Sequence, residues 1–286
     1  MNRELPRAIT DDEIETYGRD GVVMLPGLFD ADWIRLLDEG LAASRRAPTK
    51  RAAVWDRDVE KREMFYDSHA WQRVPAYARF VTESPCAELA GRLMGAAAVN
   101  FFFDAVFCRS PGTQFRTPWH QDEPYWSVSG FQTCSVWMPL VPVTAASAVA
   151  VVPGSHRWAT VFKQADFGAY DADGSDVPHS DFSALADAPP LPDIDGDPET
   201  YRPQSFAMQP GDALVFNGRC IHGGSGRLAD DRDLRVFNTK WCGDDVRVDF
   251  KPWGMNPDHS SEMTAAGLKP GDKLGSDLYP ELWRRG

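Results

Sequence analysis

The chain has 286 residues, 43% hydrophobic and 25% charged, which is enough apolar material for a substantial core and too much for a disordered chain. A net charge of −12 argues against duplex DNA or an anionic membrane as partner, because both need clustered Lys and Arg. Five scattered cysteines without a CxxC pair suit reduced thiols, and no apolar leader or bilayer-length apolar run is visible, so a soluble cytoplasmic protein is expected.

Residues 1–98 read as mostly helical. Thr10 followed three positions later by Glu13 has capping-box spacing, and the helix it opens should end before Gly21. Asp30 can cap a second helix whose Trp33, Leu36, Leu37 and Leu41 form one apolar stripe. A third begins at Ser84-Pro85, carries Leu89 and Leu93 on one face, and stops at Gly95. From Val99 the texture changes to short β-rich runs between Gly, Pro and Asp clusters: 100–108, 115–120, 134–141, 148–152, 205–208, 213–216 and 235–241. Nothing like a crossover helix lies between them, which favours a sandwich or barrel over a parallel α/β sheet. Residues 164–201 hold many Asp but no Lys or Arg, and read as an acidic surface excursion or a lid. One domain over 1–286 is expected, with a β core over 99–242, that acidic insertion, and a C-terminal extension over 243–286.

The chemistry concentrates in Trp119-His120-Gln121-Asp122-Glu123. In an extended segment residues two apart share a face, so the His120 imidazole and the Asp122 carboxylate can converge on one ion. About a hundred residues on, His222 precedes a glycine-rich stretch. Two His and one carboxylate with open positions make the facial triad of non-haem iron(II) oxygenases.

The blocks Pro118-Trp119-His120-Gln121-Asp122, Val152-Pro153-Gly154-Ser155-His156 and Pro210-Gly211-Asp212-Ala213-Leu214-Val215-Phe216, in this order, resemble the phytanoyl-CoA dioxygenase family of 2-oxoglutarate oxygenases. The resemblance implies a mainly β fold with flanking helices, a double-stranded β-helix of the cupin-like jelly-roll kind. It implies iron(II) on His120, Asp122 and His222, with 2-oxoglutarate and dioxygen (O2) as cosubstrates. It places an Arg beyond the distal His to hold the far carboxylate of 2-oxoglutarate. Arg235 is the first candidate and Arg232 the reserve, with Arg109 and Trp137 as further cosubstrate contacts. In this chain Gly224 stands where relatives often carry a small hydroxyl residue. Glu123, Tyr125, Trp126, Phe103, Arg116 and Arg219 are the candidates for substrate contact, and His156 is read as structural.

The function expected is oxidation of a small metabolite, hydroxylation first, by a monomer or homodimer with no nucleic-acid or membrane partner. Two alternatives stay open on the residues alone. One is a cupin-type hydrolase or isomerase using zinc or manganese without 2-oxoglutarate. The other is a non-catalytic binding protein on the same scaffold.

Overall fold

A computed structural model describes residues 1–55, 63–113, 116–163, 187–224 and 233–286. The order begins α1 (Asp11–Asp20), β1 (Val22–Leu25), α2 (Ala31–Arg46), β2 (Ala53–Trp55), β3 (Met64–Ser68), α3 (Pro75–Glu83), α4 (Cys86–Met94) and β4 (Ala98–Arg109). It continues with β5 (Val128–Ser129), β6 (Thr133–Pro139), β7 (Ala150–Val151), α5 (Pro198–Tyr201), β8 (Ala213–Asn217) and β9 (His222–Gly223). The last elements are β10 (Leu234–Gly243), β11 (Arg247–Val248), α6 (Ser260–Ala265) and β12 (Glu281–Arg284).

The helix starts follow from local chemistry. Thr10 Oγ1 accepts from the Glu13 N–H at 3.2 Å, and the Glu13 carboxylate accepts from the Thr10 N–H at 2.8 Å, completing the capping box of α1. Asp30 accepts from the N–H groups of Asp32 and Trp33, both at 3.1 Å, at the start of α2.

Eight strands form one antiparallel sheet in the order β1-β8-β6-β10-β4-β3-β2, with β12 also paired to β4. Residues 1–98 are therefore less helical than their sequence suggests, since β1, β2 and β3 all enter this sheet. β1 pairs with β8 in the register Val22 to Phe216, a partner no local pattern announces. Two short pairs, β7 with β9 and β5 with β11, lie off this sheet. The large sheet is buried on both faces. Its outer face packs Val136, Val215, Phe237 and Trp241 on the helices, where Tyr77 and Phe80 of α3 meet the Phe237 ring at 4.6 and 5.5 Å. Its inner face packs Trp137, Leu214, Phe216 and Val236 on Val143, Ala148 and Val151 of the second layer. Two antiparallel layers facing one another, with helices behind one of them, make the double-stranded β-helix.

Of the acidic segment, 164–186 lies outside the described residues, and so does any test there of the lid reading. Its end is no free excursion: Ile194 is buried on Val152 and Ile221.

Candidate metal centre

Strand pairing brings the two histidines together. His120 and His222 exchange backbone hydrogen bonds, each N–H donating to the other's carbonyl at 2.9 Å. Gly224 N–H donates to Thr117 O at 2.9 Å in the same ladder. The glycine has a physical reason: a Cβ on Gly224 would lie 2.8 Å from the Thr117 nitrogen, so a larger residue there would push the His120 segment off β9.

The imidazole rings sit 4.1 Å apart between centroids. Each Nδ1 is tied to a backbone carbonyl, His120 to Pro118 O at 2.8 Å and His222 to Cys220 O at 3.0 Å. A carbonyl can only accept, so Nδ1 carries the proton and Nε2 presents its lone pair. The Asp122 carboxylate completes the face, 3.6 Å from His120 Nε2 and 3.8 Å from His222 Nε2. The three ligand atoms lie within 4.8 Å of one another, a set that one divalent ion can satisfy. The convergence does not come from strand alternation as the sequence suggested. The chain leaves extended geometry at Asp122 (φ −93°, ψ −61°), whose N–H donates to Gly218 O at 3.0 Å, and a short 3-10 turn over Glu123–Tyr125 follows.

Asp122 and His222 are in ligand form at neutral pH. Burial alone would push the Asp122 carboxyl up, but His222, the His120 hydrogen bond and Lys240 together hold it well below the usual carboxylate range. Burial, then the neighbouring His120, takes His222 down to about 3, so its ring is neutral. A neutral His222 imidazole, a His120 ring turned to the same point and one anionic carboxylate fit iron(II).

The other candidates are distributed unevenly. β10 alternates: Val236, Asn238 and Lys240 face inward across from Pro139, Trp137 and Ser135 of β6, while Arg235 shares the parity of Phe237 and Thr239. Arg235 therefore points to the helices, where its guanidinium pairs with Asp38 of α2, and with Asp233 at 2.9 Å. The expected Arg235 contact with 2-oxoglutarate is corrected by this parity. Arg232 lies outside the described residues. Arg109 is buried on the inner wall, across from Leu234 and Met64, and Trp137 is on the same wall across from Asn238 and Leu214.

Of the substrate candidates, Phe103 lies on the inner wall across from Lys240, and Trp126 packs on it with centroids 5.7 Å apart. Tyr125 is buried, its hydroxyl donating to Phe162 O. Glu123 is buried too, its carboxyl raised first by desolvation; it accepts from Gly130 N–H and faces Arg219 at 3.5 Å. Glu123 and Arg219 thus face each other as an ion pair. Arg116 is half exposed, 2.6 Å from Asp195 and 5.9 Å over the Trp119 ring, clamping the end of the acidic segment to the ligand strand. His156 packs by Phe131 and Gly18 O and is not among the three converging ligands. Lys240, Asn238 and Ser135 are inner-wall residues the sequence reading missed. The alternation of β10 was the available signal.

A two-layer jelly roll carrying a His-Asp-His face defines the class of non-haem iron oxygenases. The phytanoyl-CoA dioxygenase (PhyH) model matches residues 17–233, and the chain belongs to that family. No curated protein sequence matches. Among solved structures the chain is similar to the non-heme alpha ketoglutarate dependent carbocyclase SnoK from nogalamycin biosynthesis, with TM-score 0.73 and 18% identity over 99% of this chain and 100% of that one. It is also similar to the epimerase SnoN in complex with Fe3+, alpha ketoglutarate and nogalamycin RO, with TM-score 0.68 and 22% identity over 96% and 98%. A third likeness is to EctD from S. alaskensis with 2-oxoglutarate and 5-hydroxyectoine, with TM-score 0.63 and 18% identity over 96% and 90%. At these identities the likeness establishes the fold. Among the described residues no helix is long and apolar enough to cross a membrane.

Proposed function

We propose that this chain is an iron(II)- and 2-oxoglutarate-dependent oxygenase that oxidises a small organic molecule. The observation that carries the reading is the convergence of His120, Asp122 and His222, with both Nδ1 atoms tethered so that both Nε2 atoms face one point. Three protein ligands leave the remaining positions for a bidentate keto acid and dioxygen. With these bound, iron supplies the oxidising power to break a C–H bond that no side chain can break.

The chain's own residues supply orientation and dryness. His120, Asp122 and His222 would hold the ion. Trp137 and Phe216 wall the interior, and Phe103 and Trp126 exclude water beside it. Arg109, a guanidinium buried on the inner wall, is the candidate for the far carboxylate of 2-oxoglutarate. Hydroxylation is the reaction favoured, with cyclisation and epimerisation as variants because SnoK is a carbocyclase and SnoN an epimerase.

The test is anaerobic addition of iron(II) and then 2-oxoglutarate. A weak visible charge-transfer band is expected in the native protein and not in His222→Ala. A native protein that binds iron but gives no band would instead be a cupin-type hydrolase, isomerase or binding protein.

A further inference from the structure

The inner wall carries a buried cation outside the three metal-ligand candidates. Lys240 is only 4% exposed and stands across from Phe103 of β4 and Ser135 of β6. Its Nζ lies 5.3 Å from the centre of the Phe103 ring, a cation–π contact that offsets part of its lost hydration. Asp122 and Asp104 act on it through space, but among the described residues no acceptor takes a hydrogen bond from it. Two neighbours on the same wall are also unsatisfied there, Ser135 Oγ and Asn238 Oδ1. Buried polar groups are normally paired, and a buried ammonium most of all. Three unmet groups side by side point to a ligand.

Their place says which ligand. The Lys240 row runs through Ser135 to Phe216, whose ring lies 4.7 Å from that of His222, so an anion on Lys240 would sit beside the metal. A 2-oxoglutarate chelated at the metal sends its far carboxylate away from that point. Arg109 is six residues from Phe103 along β4, about 20 Å at 3.3 Å per residue, at the opposite end of the wall. The Lys240 end is closed by the C-terminal part of the chain: His259 packs on Phe102, Phe103 and His69.

We propose that Lys240 anchors an anionic group, a carboxylate or ionised enol or phenol, on the organic substrate, so that the enzyme acts on a small organic acid. Ser135 and Asn238 would complete the contact. The proposal rests on the iron and 2-oxoglutarate reading above and names the substrate class of that site.

The experiment uses the anaerobic protein loaded with iron(II) and 2-oxoglutarate, titrated with two matched pairs, acetate against acetamide and phenylacetate against phenylacetamide. Binding is read by calorimetry and by perturbation of the charge-transfer band. In the pair that binds better, the native protein should prefer the acid by about 30-fold, the size expected for one buried charge contact. Lys240→Met should erase the preference, and Lys240→Arg should keep most of it. Removing a buried charge should not lower the melting temperature of Lys240→Met, and Lys240→Arg reads the same point without that loss. No acid preference in either pair, or a preference that survives Lys240→Met, overturns the proposal. So does a weakened 2-oxoglutarate affinity in Lys240→Met, which would give Lys240 to the cosubstrate. If the native protein shows no band, the oxygenase reading fails, and the acid-over-amide preference measured by calorimetry still decides the role of Lys240.

Discussion

The two faces of the large sheet are made from the same strands and do opposite things. Along β10, Phe237 and Trp241 on the outer face fill space between ring systems of α3 and β4. One residue away on the inner face, Asn238 and Lys240 keep hydrogen-bonding capacity unspent. The outer face stabilises and the inner face waits for a ligand. Side-chain alternation is what lets ten consecutive residues serve both ends at once.

The contrast can be broken most sharply at the metal. Asp122→Ala should abolish both the charge-transfer band and turnover, while the iron-free protein stays folded with a modestly lower melting temperature, because a carboxylate that its neighbours hold well below the usual range is removed. A collapse of the fold instead would make the inner face structural. Phe237→Ala should do the reverse. A loss of about 3–5 kcal/mol in urea unfolding is expected, as for a large core ring, with 2-oxoglutarate affinity of the remaining folded protein little changed.

Arginine parity gives the next test. Arg109→Ala should weaken 2-oxoglutarate binding by about 30-fold or more, the cost of leaving a buried carboxylate unpaired. Arg235→Ala should leave that affinity alone and cost at most about 1 kcal/mol, because the pair with Asp38 is about a third exposed. Affinity titrations of the two variants, with Arg232→Ala beside them, decide which guanidinium meets the cosubstrate.

A smaller effect concerns pH. Burial first of all lowers three histidines, His222 and His259 to about 3 and His69 well below the usual imidazole value. From about pH 6.5 down to 3 the unfolded chain binds more protons than the folded one. Their stability contribution is therefore complete above pH 6.5 and falls as the pH drops. His222 and His259 can each cost up to about 2 kcal/mol by pH 5, at 1.36 kcal/mol per pH unit, and His69 acts in the same direction. Asp104, which burial pushes up to about 7, works against them, since its penalty disappears as the pH falls towards 4. Three groups outweigh one. The melting temperature of the iron-free protein should fall between pH 7 and 5, and His259→Phe should make that slope shallower.

Much of this was legible because its causes are local. Thr10 and Glu13 announce a capping box whatever surrounds them, and the order of the 118–122, 152–156 and 210–216 blocks pointed to the family before any coordinate. The strands of residues 1–98 were hidden because their partners are remote: Val22 lies in a stretch read as mostly helical, and only Phe216 beside it makes it a strand. Arg235 was misplaced for a different reason. Composition marks a strand, but which face of it is inside depends on register against β6 and β4, and an Arg on the wrong parity looks identical in sequence. Lys240 was overlooked by the same route, since it occupies the right parity in a segment already assigned a different cation.

The mutual backbone hydrogen bonds between His120 and His222 set a limit on how the site can breathe. Two of the three ligands hang from one rung of backbone, so a movement that spread the imidazoles apart would have to break that rung. Entry and exit are therefore left to elements on other parts of the rim, and the metal-holding pair passes through each turnover as a fixed jaw.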